Sequence, residues 1–268
     1  MLGLPDLDRL RRLAEALSSL PRRQAEERRA RKGGPGLRRQ EVWLTTGAGY
    51  RVFVVVEEPD DDRPRPAVVL VPGRGRNSRV FTVGPYILSA GELASRGIRA
   101  IAFDPVGRGQ SWGHDDFCGS EGQDALRTVL DFVHARRDVQ RGDVAVASFS
   151  LGLSLAAPVL AREGERLGTK LLLDWEGPAD REAILRSGPL PPAARAALAA
   201  DPETFWSLRE PIRFIHQVPC HYVRVQALRD HATGERGRAG ALALVTAAAR
   251  GRAASTRLNA NAPDTAWR

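Results

Sequence analysis

The stretch Val144-Ala145-Val146-Ala147-Ser148-Phe149-Ser150-Leu151-Gly152 constrains this chain more than any other part of it. An unbroken apolar run of this length suits a strand buried on both faces. It passes through Ser-x-Ser-x-Gly straight into residues 151–163, which have helical periodicity. The chain must therefore turn from strand to helix within a few residues. Such a turn tolerates only small residues two before and two after its centre, and Ser148 and Gly152 meet that requirement. Ser150 is then held in a strained backbone at the start of a helix. A helix N-terminus favours developing negative charge, and the Leu151 amide is placed to face an oxyanion.

The rest of the chain repeats this alternation. Residues 41–46 and 50–57 are β-rich and are joined by Gly47-Ala48-Gly49, which reads as a hairpin. Buried strands follow at 67–71, 98–103, 143–147, 171–173 and 222–226, with a last short one at 256–259. Helices are expected near 83–95, 121–136, 151–163 and 235–249. An antiparallel hairpin followed by strands alternating with helices predicts an α/β domain. Its sheet is mostly parallel, with helices on both faces. Residues 178–219 break the alternation and read as a short cap-like insertion over the C-terminal edge of the sheet. Residues 1–39 form a basic extension, helical over 6–31 with Leu10, Leu13, Leu17 and Leu20 on one side, which leaves 40–268 as the domain.

Composition narrows the function class. Lys and Arg total 40 against 32 Asp and Glu, for a net charge of +8. Only Lys32 and Lys170 are lysines, and the arginines are spread along the whole chain. That pattern is a general compositional bias, and a nucleic-acid partner is not expected. Cys118 and Cys220 form neither a disulfide framework nor a CxxC pair. No His/Cys/Asp cluster has metal-ligand spacing, so no metal is expected. The absence of a signal-peptide pattern and of an 18-residue apolar window makes a cytoplasmic protein the expectation.

Two further segments carry information. Val69-Leu70-Val71-Pro72-Gly73-Arg74-Gly75-Arg76 leaves a buried strand with glycines that let backbone amides approach a ligand closely. Phe103-Asp104-Pro105-Val106-Gly107-Arg108-Gly109-Gln110-Ser111 shapes a loop, and its role is read as structural. With the serine turn, these motifs resemble the α/β-hydrolase superfamily over residues 40–260. The likeness is nearest to its serine esterase and dienelactone-hydrolase-like or peptidase-like branches. The resemblance implies a serine hydrolase of the esterase kind, acting on a carboxylic ester or related acyl bond of a small molecule without a cofactor. Ser150 is then the nucleophile of a nucleophile elbow, and the amides of Leu151 and of Arg74 or Gly75 form the oxyanion hole. The acid is expected after the strand that follows the cap, at Asp230, with Asp174 on the preceding strand as the alternative. Arg74, Arg76, Arg79 and Arg108 near the mouth hint at an anionic substrate.

In the family the histidine follows the last strand. Here residues 260–268 contain none. His231, directly after Asp230, is the first candidate base, and His114 the second. His216 and His221 precede their strand and belong to the wrong end of the sheet, and His134 lies within a helix. The remaining readings are a truncated chain, or a fold member that binds a ligand without turnover.

Overall fold

The computed structural model describes residues 36–83 and 88–259. The expected helix over 6–31 and the tail 260–268 lie outside the described residues. The sheet begins with β1 (Leu37–Thr45) and β2 (Arg51–Pro59), joined by the expected glycine turn. Leu37 already belongs to β1, so the domain starts inside the segment assigned to the extension. Then come β3 (Arg65–Val71), β4 (Arg99–Phe103), β5 (Val139–Phe149), β6 (Thr169–Trp175), β7 (His221–Val225) and β8 (Thr256–Leu258).

These strands form one 8-stranded sheet in the order β1-β2-β4-β3-β5-β6-β7-β8. β1 and β2 pair antiparallel, as do β2 and β4, and every later pairing is parallel. The edge strand β1 is half-exposed along its length, whereas β4 is buried at every position. This is the physical basis of the sequence pattern. Inner strands of a parallel sheet meet helices on both faces and so read as continuous apolar runs.

Helices α1 (Arg79–Thr82) and α2 (Ala90–Ser95) connect β3 to β4, in place of the one helix expected near 83–95. The Ser89 hydroxyl accepts a hydrogen bond from the Glu92 amide and caps α2. Helices α3 (Ser120–Ala135), α4 (Leu153–Leu167) and α8 (Gly237–Arg250) follow β4, β5 and β7. The larger core brings α3, α4 and α8 residues such as Leu126, Leu130, Leu155, Leu160 and Leu244 against Val54, Val69, Val146 and Leu172 of the sheet. On the other face Leu88 and Leu93 pack with Leu70, Ala102, Ala147 and Leu173. Burial of each such side chain contributes roughly 1.5–3 kcal/mol, which fixes the sheet as a rigid platform.

Between β6 and β7 lie α5 (Arg181–Arg186), α6 (Pro192–Ala200) and α7 (Pro202–Ser207), then 3₁₀ turns at Pro211–Arg213 and Ile215–Gln217. Ile184, Leu190, Ala194, Phe205 and Trp206 of this insertion are buried in the larger core. The insertion is thus packed into the domain.

Candidate active site

β5 ends at Phe149, which pairs with Trp175 at the end of β6. The next residue, Ser150, has φ 51°, a left-handed conformation that is rare outside glycine. It costs on the order of 1–3 kcal/mol and persists because the surroundings enforce it. A 3₁₀ turn over Ser150–Gly152 then leads directly into α4. At Gly152 a Cβ would stand 2.8 Å from the Val71 carbonyl and 2.9 Å from that of Pro72, so only glycine fits. Ser148 is fully buried, and its hydroxyl reaches the Leu173 carbonyl at 3.4 Å.

Ser150 Oγ lies 3.0 Å from His231 Nε2. His231 Nδ1 in turn lies 2.6 Å from Glu176 Oε2. These partners fix the tautomer. Nδ1–H donates to the carboxylate, and Nε2 is left to accept from the serine hydroxyl. Glu176 also accepts the Ala227 amide at 2.8 Å and the His231 amide at 3.3 Å. Its hydrogen bond to the ring holds the imidazole pKa above 6.5, against the opposing effect of burial.

Three loops meet here, each leaving the C-terminal end of a neighbouring strand. Glu176 is one residue beyond β6, has φ 50°, and is 7% exposed. His231 lies in a tight loop after β7. Asp230 and Gly234 exchange backbone hydrogen bonds there, both at 3.0 Å.

The structure brings together two of the residues expected from the sequence, Ser150 and His231. It places the carboxylates differently. Asp230 Oδ1 is 3.9 Å from His231 Nδ1, too far for a hydrogen bond, while Glu176 occupies that position. Asp230 is turned into its own loop. Oδ1 accepts the amides of Ala232 and Thr233 at 2.8 and 2.9 Å, and Oδ2 accepts from Gln226 Nε2 at 2.9 Å. Burial opposes its charge, but these hydrogen bonds prevail and hold its pKa below the usual carboxylate value.

Asp174 is turned inward and fully buried. It pairs with Arg224 Nη1 at 2.5 Å and accepts from the Tyr222 hydroxyl at 2.8 Å. Neither aspartate reaches the imidazole. Glu176 is not among the acids that the sequence points to. Its one signal was an acidic residue immediately before a glycine at a strand exit, in Asp174-Trp175-Glu176-Gly177. His114 is exposed in the loop after β4, and the ring facing Ser150 is that of His231.

The expected oxyanion donors lie on the two segments that meet at the serine. Leu151 is the residue after Ser150, inside the 3₁₀ turn. On the β3 loop, Gly73 lies against the Phe149 carbonyl and the Ser150 side chain. Arg74 and Gly75 follow, with Gly75 at φ 60°. The Arg74 side chain runs away from the serine into the insertion. Nη2 donates to the Ile184 carbonyl at 2.7 Å and to Ser187 Oγ at 2.8 Å, and Nη1 to the Pro189 carbonyl at 2.9 Å. Arg108 is forked onto Asp115 at 2.7 and 3.0 Å and also donates to the Gly73 carbonyl at 3.1 Å. Arg74 and Arg108, which hinted at an anionic substrate, are thus engaged within the protein. Arg76 and Arg79 line an open cavity of about 380 Å³ with Gly75, Asn77, Val80 and Val83.

Asp104 organises the neighbouring loop, accepting the amides of Ser78 and Gln110 at 2.8 and 2.7 Å. Cys118 is buried, and burial pushes its thiol up to about 12, which suppresses the thiolate a nucleophile needs. Glu176, Asp230 and His231 offer ligand atoms within 4.8 Å of one another. Within this group Glu176 Oε2 and His231 Nδ1 bond each other, and the serine completes a chain of acid, imidazole and hydroxyl.

No family model and no curated protein matches this sequence. Solved structures do match. An acetyl xylan esterase from Paenibacillus sp. R4 superposes with a TM-score of 0.61 at 18% identity, covering 96% of this chain and 89% of that one. An esterase from Pyrococcus furiosus gives 0.61 at 15% identity, covering 83% and 82%. A putative dipeptidyl aminopeptidase IV from Bacteroides ovatus gives 0.63 at 14% identity, covering 85% of this chain but only 34% of that longer chain. The fold is that of the α/β hydrolases. Within it, no helix among the described residues is long and apolar enough to cross a membrane.

Proposed function

We propose that this chain is a serine hydrolase that cleaves a carboxylic ester or related acyl bond, with Ser150, His231 and Glu176 as its triad. The observation that carries this reading is the continuous Ser150–His231–Glu176 hydrogen-bond chain, at 3.0 and 2.6 Å, built on a serine with positive φ. A bystander histidine has no reason to meet both partners at once.

The chemistry follows from that geometry. As Ser150 Oγ attacks the acyl carbon, its proton passes to His231 Nε2. Glu176 remains ionised and stabilises the imidazolium through Nδ1–H. Charge on the tetrahedral oxygen falls to the Leu151 amide and to the Arg74 or Gly75 amide. His231 then protonates the leaving oxygen, the C–O bond breaks, and an acyl-serine remains. Water attacks this ester, again giving its proton to Nε2, and the acid leaves as Ser150 recovers its hydrogen. The named acyl-cleaving neighbours add support at the level of reaction class.

A fluorophosphonate probe with Ser150→Ala beside it tests the proposal, the labelled residue being found by mass spectrometry. Labelling at Ser150 that disappears in the variant is expected. Well-folded wild-type protein that takes up no probe would overturn the hydrolase reading and favour ligand binding without turnover.

A further inference from the structure

Beneath the triad lies a second polar chain that the reaction does not touch. Arg224, on β7, is 1% exposed and Asp174, on β6, is 0% exposed. Arg224 Nη1 donates to Asp174 Oδ2 at 2.5 Å and to the Gly177 carbonyl at 2.7 Å. Its other edge, through Nε at 3.1 Å and through Nη2, holds Gln226 Oε1. Gln226 Nε2 then donates to Asp230 Oδ2 at 2.9 Å. Asp174 Oδ1 accepts the Gly177 amide at 2.9 Å, so the residue after Glu176 is held on both its amide and its carbonyl. The guanidinium therefore grips the loop that carries Glu176 with one edge. With the other, through Gln226, it grips the loop that carries His231.

A buried ion pair of this kind is a poor source of stability. Desolvation of both charges offsets their attraction, and apolar pairs of similar volume commonly do as well. What an apolar pair cannot do is fix two loops at a set separation, which a planar fork with directional donors does. We propose that Arg224 is a positioning residue, setting the Glu176–His231 contact by tying the exit of β6 to the exit of β7. The proposal rests on the triad reading above. Gln226 and Asp174 are the two arms of the device. Asp230, the acid expected from the sequence, is its far anchor.

The test is the fluorophosphonate labelling of Ser150 from pH 6 to 9, separated into the maximal rate constant and the half-saturating probe concentration. Thermal unfolding of each protein reports the folded fraction. Three variants are compared with wild type: Asp174→Leu/Arg224→Met, which removes the ion pair and keeps the volume; Arg224→Lys, which keeps the charge and loses the fork; and Gln226→Met. The last leaves the ion pair intact and carries the test even where the double variant does not fold.

The expected result is a maximal rate about 10–100-fold lower per folded molecule in the folded variants, as for misplaced catalytic groups. The half-saturating concentration should stay unchanged. In Arg224→Lys and Gln226→Met, which keep the positive charge at position 224 that itself lowers the His231 pKa, the acid limb should move to lower pH, because a loosened Glu176 supports the imidazolium less well. Arg224→Lys should not rescue the rate. A rate per folded molecule equal to wild type in Gln226→Met and Arg224→Lys would overturn the proposal and leave the triad reading intact. Absence of labelling in wild type would overturn both together.

Discussion

The exits of β5 and β6 are twins in geometry and strangers in sequence. Phe149 and Trp175 are the last paired residues of the two strands and stand opposite each other. The next residues, Ser150 and Glu176, have φ 51° and 50°. Each turn is closed by a glycine whose space is already taken. A Cβ on Gly152 would meet the Val71 carbonyl at 2.8 Å, and one on Gly177 would meet Leu153 Cβ at 2.5 Å. Both turns lift one side chain off the sheet edge towards the same imidazole. Only the first has a recognisable spacing. In the β5 exit the constraint is local, because a strand, a tight turn and a helix follow one another without a gap. In the β6 exit the turn is enforced by distant partners. Val225 accepts the Glu176 amide at 3.0 Å, and Arg224 grips Gly177.

The largest effects should come from the residues the two turns serve. His231→Ala and Ser150→Ala should each lower probe labelling or ester cleavage by about 10⁴–10⁶-fold, since members of the proposed triad would act as a unit. Measured together, the double variant should be no worse than either single one. A double variant far weaker than both would mean that serine and imidazole act independently, and the link between the turns would be broken.

The next effect separates the two carboxylates. Glu176→Gln keeps the shape of the β6 exit and removes the charge behind the imidazole, and should cost about 10³–10⁴-fold in rate. Asp230→Asn keeps an oxygen for the loop amides but turns an NH2 onto the Gln226 Nε2 donor, so it should cost only the roughly 10–100-fold of a loosened tie, less than Glu176→Gln. The reverse order, read from the same rate measurements, would restore Asp230 as the working acid.

Acidity gives a third contrast. As the proposed nucleophile, Ser150 needs a neutral imidazole, and Glu176 raises the His231 pKa above 6.5. Labelling should therefore fall as pH drops through a value above 6.5, and Glu176→Gln should move that limb to lower pH. The sign for stability is opposite. A raised pKa means the folded state prefers the protonated ring. Its stabilising contribution is thus complete below about pH 6.5 and lost as pH rises through the folded value. Thermal unfolding of wild type and His231→Ala should differ more at pH 5.5 than at pH 9. The effect should be modest, because the ring is 49% exposed.

The contrast also accounts for what could be read in advance. The sheet, its antiparallel start and its helices follow from apolar runs and periodicity, which are properties of neighbours in the chain. Ser150 was legible for the same reason. His231 was legible only by elimination, since residues 260–268 contain no histidine, and Asn259 stands at the β8 exit. Asn259 brackets Gln226 there with bonds of 2.8 and 3.0 Å. Glu176 was not legible. A carboxylate's role depends on which loop turns it, and that turn is set by contacts across about 50 residues of sequence. Arg74 and Arg108 misled for a related reason. Composition counts charges, but the fold spends these two on carbonyl groups and on Asp115.

The smallest expected effect concerns Ser148, the buried residue two before the serine. The turn requires it to be small but does not require its hydroxyl, whose contact with the Leu173 carbonyl is long at 3.4 Å. Ser148→Gly loses that weak bond and gains backbone freedom in a strand. Together these cost about 1–2 kcal/mol and should leave labelling within about twofold. Ser148→Val, adding bulk in the closest-packed part of the turn, should cost roughly 1–3 kcal/mol and slow labelling as well. Thermal unfolding and labelling rates of the two variants decide between a turn limited by volume and one that depends on the hydroxyl. If Ser148→Gly slows labelling as much as Ser148→Val, the β5 exit too relies on a partner across the sheet, and the two turns are more alike than their sequences suggest.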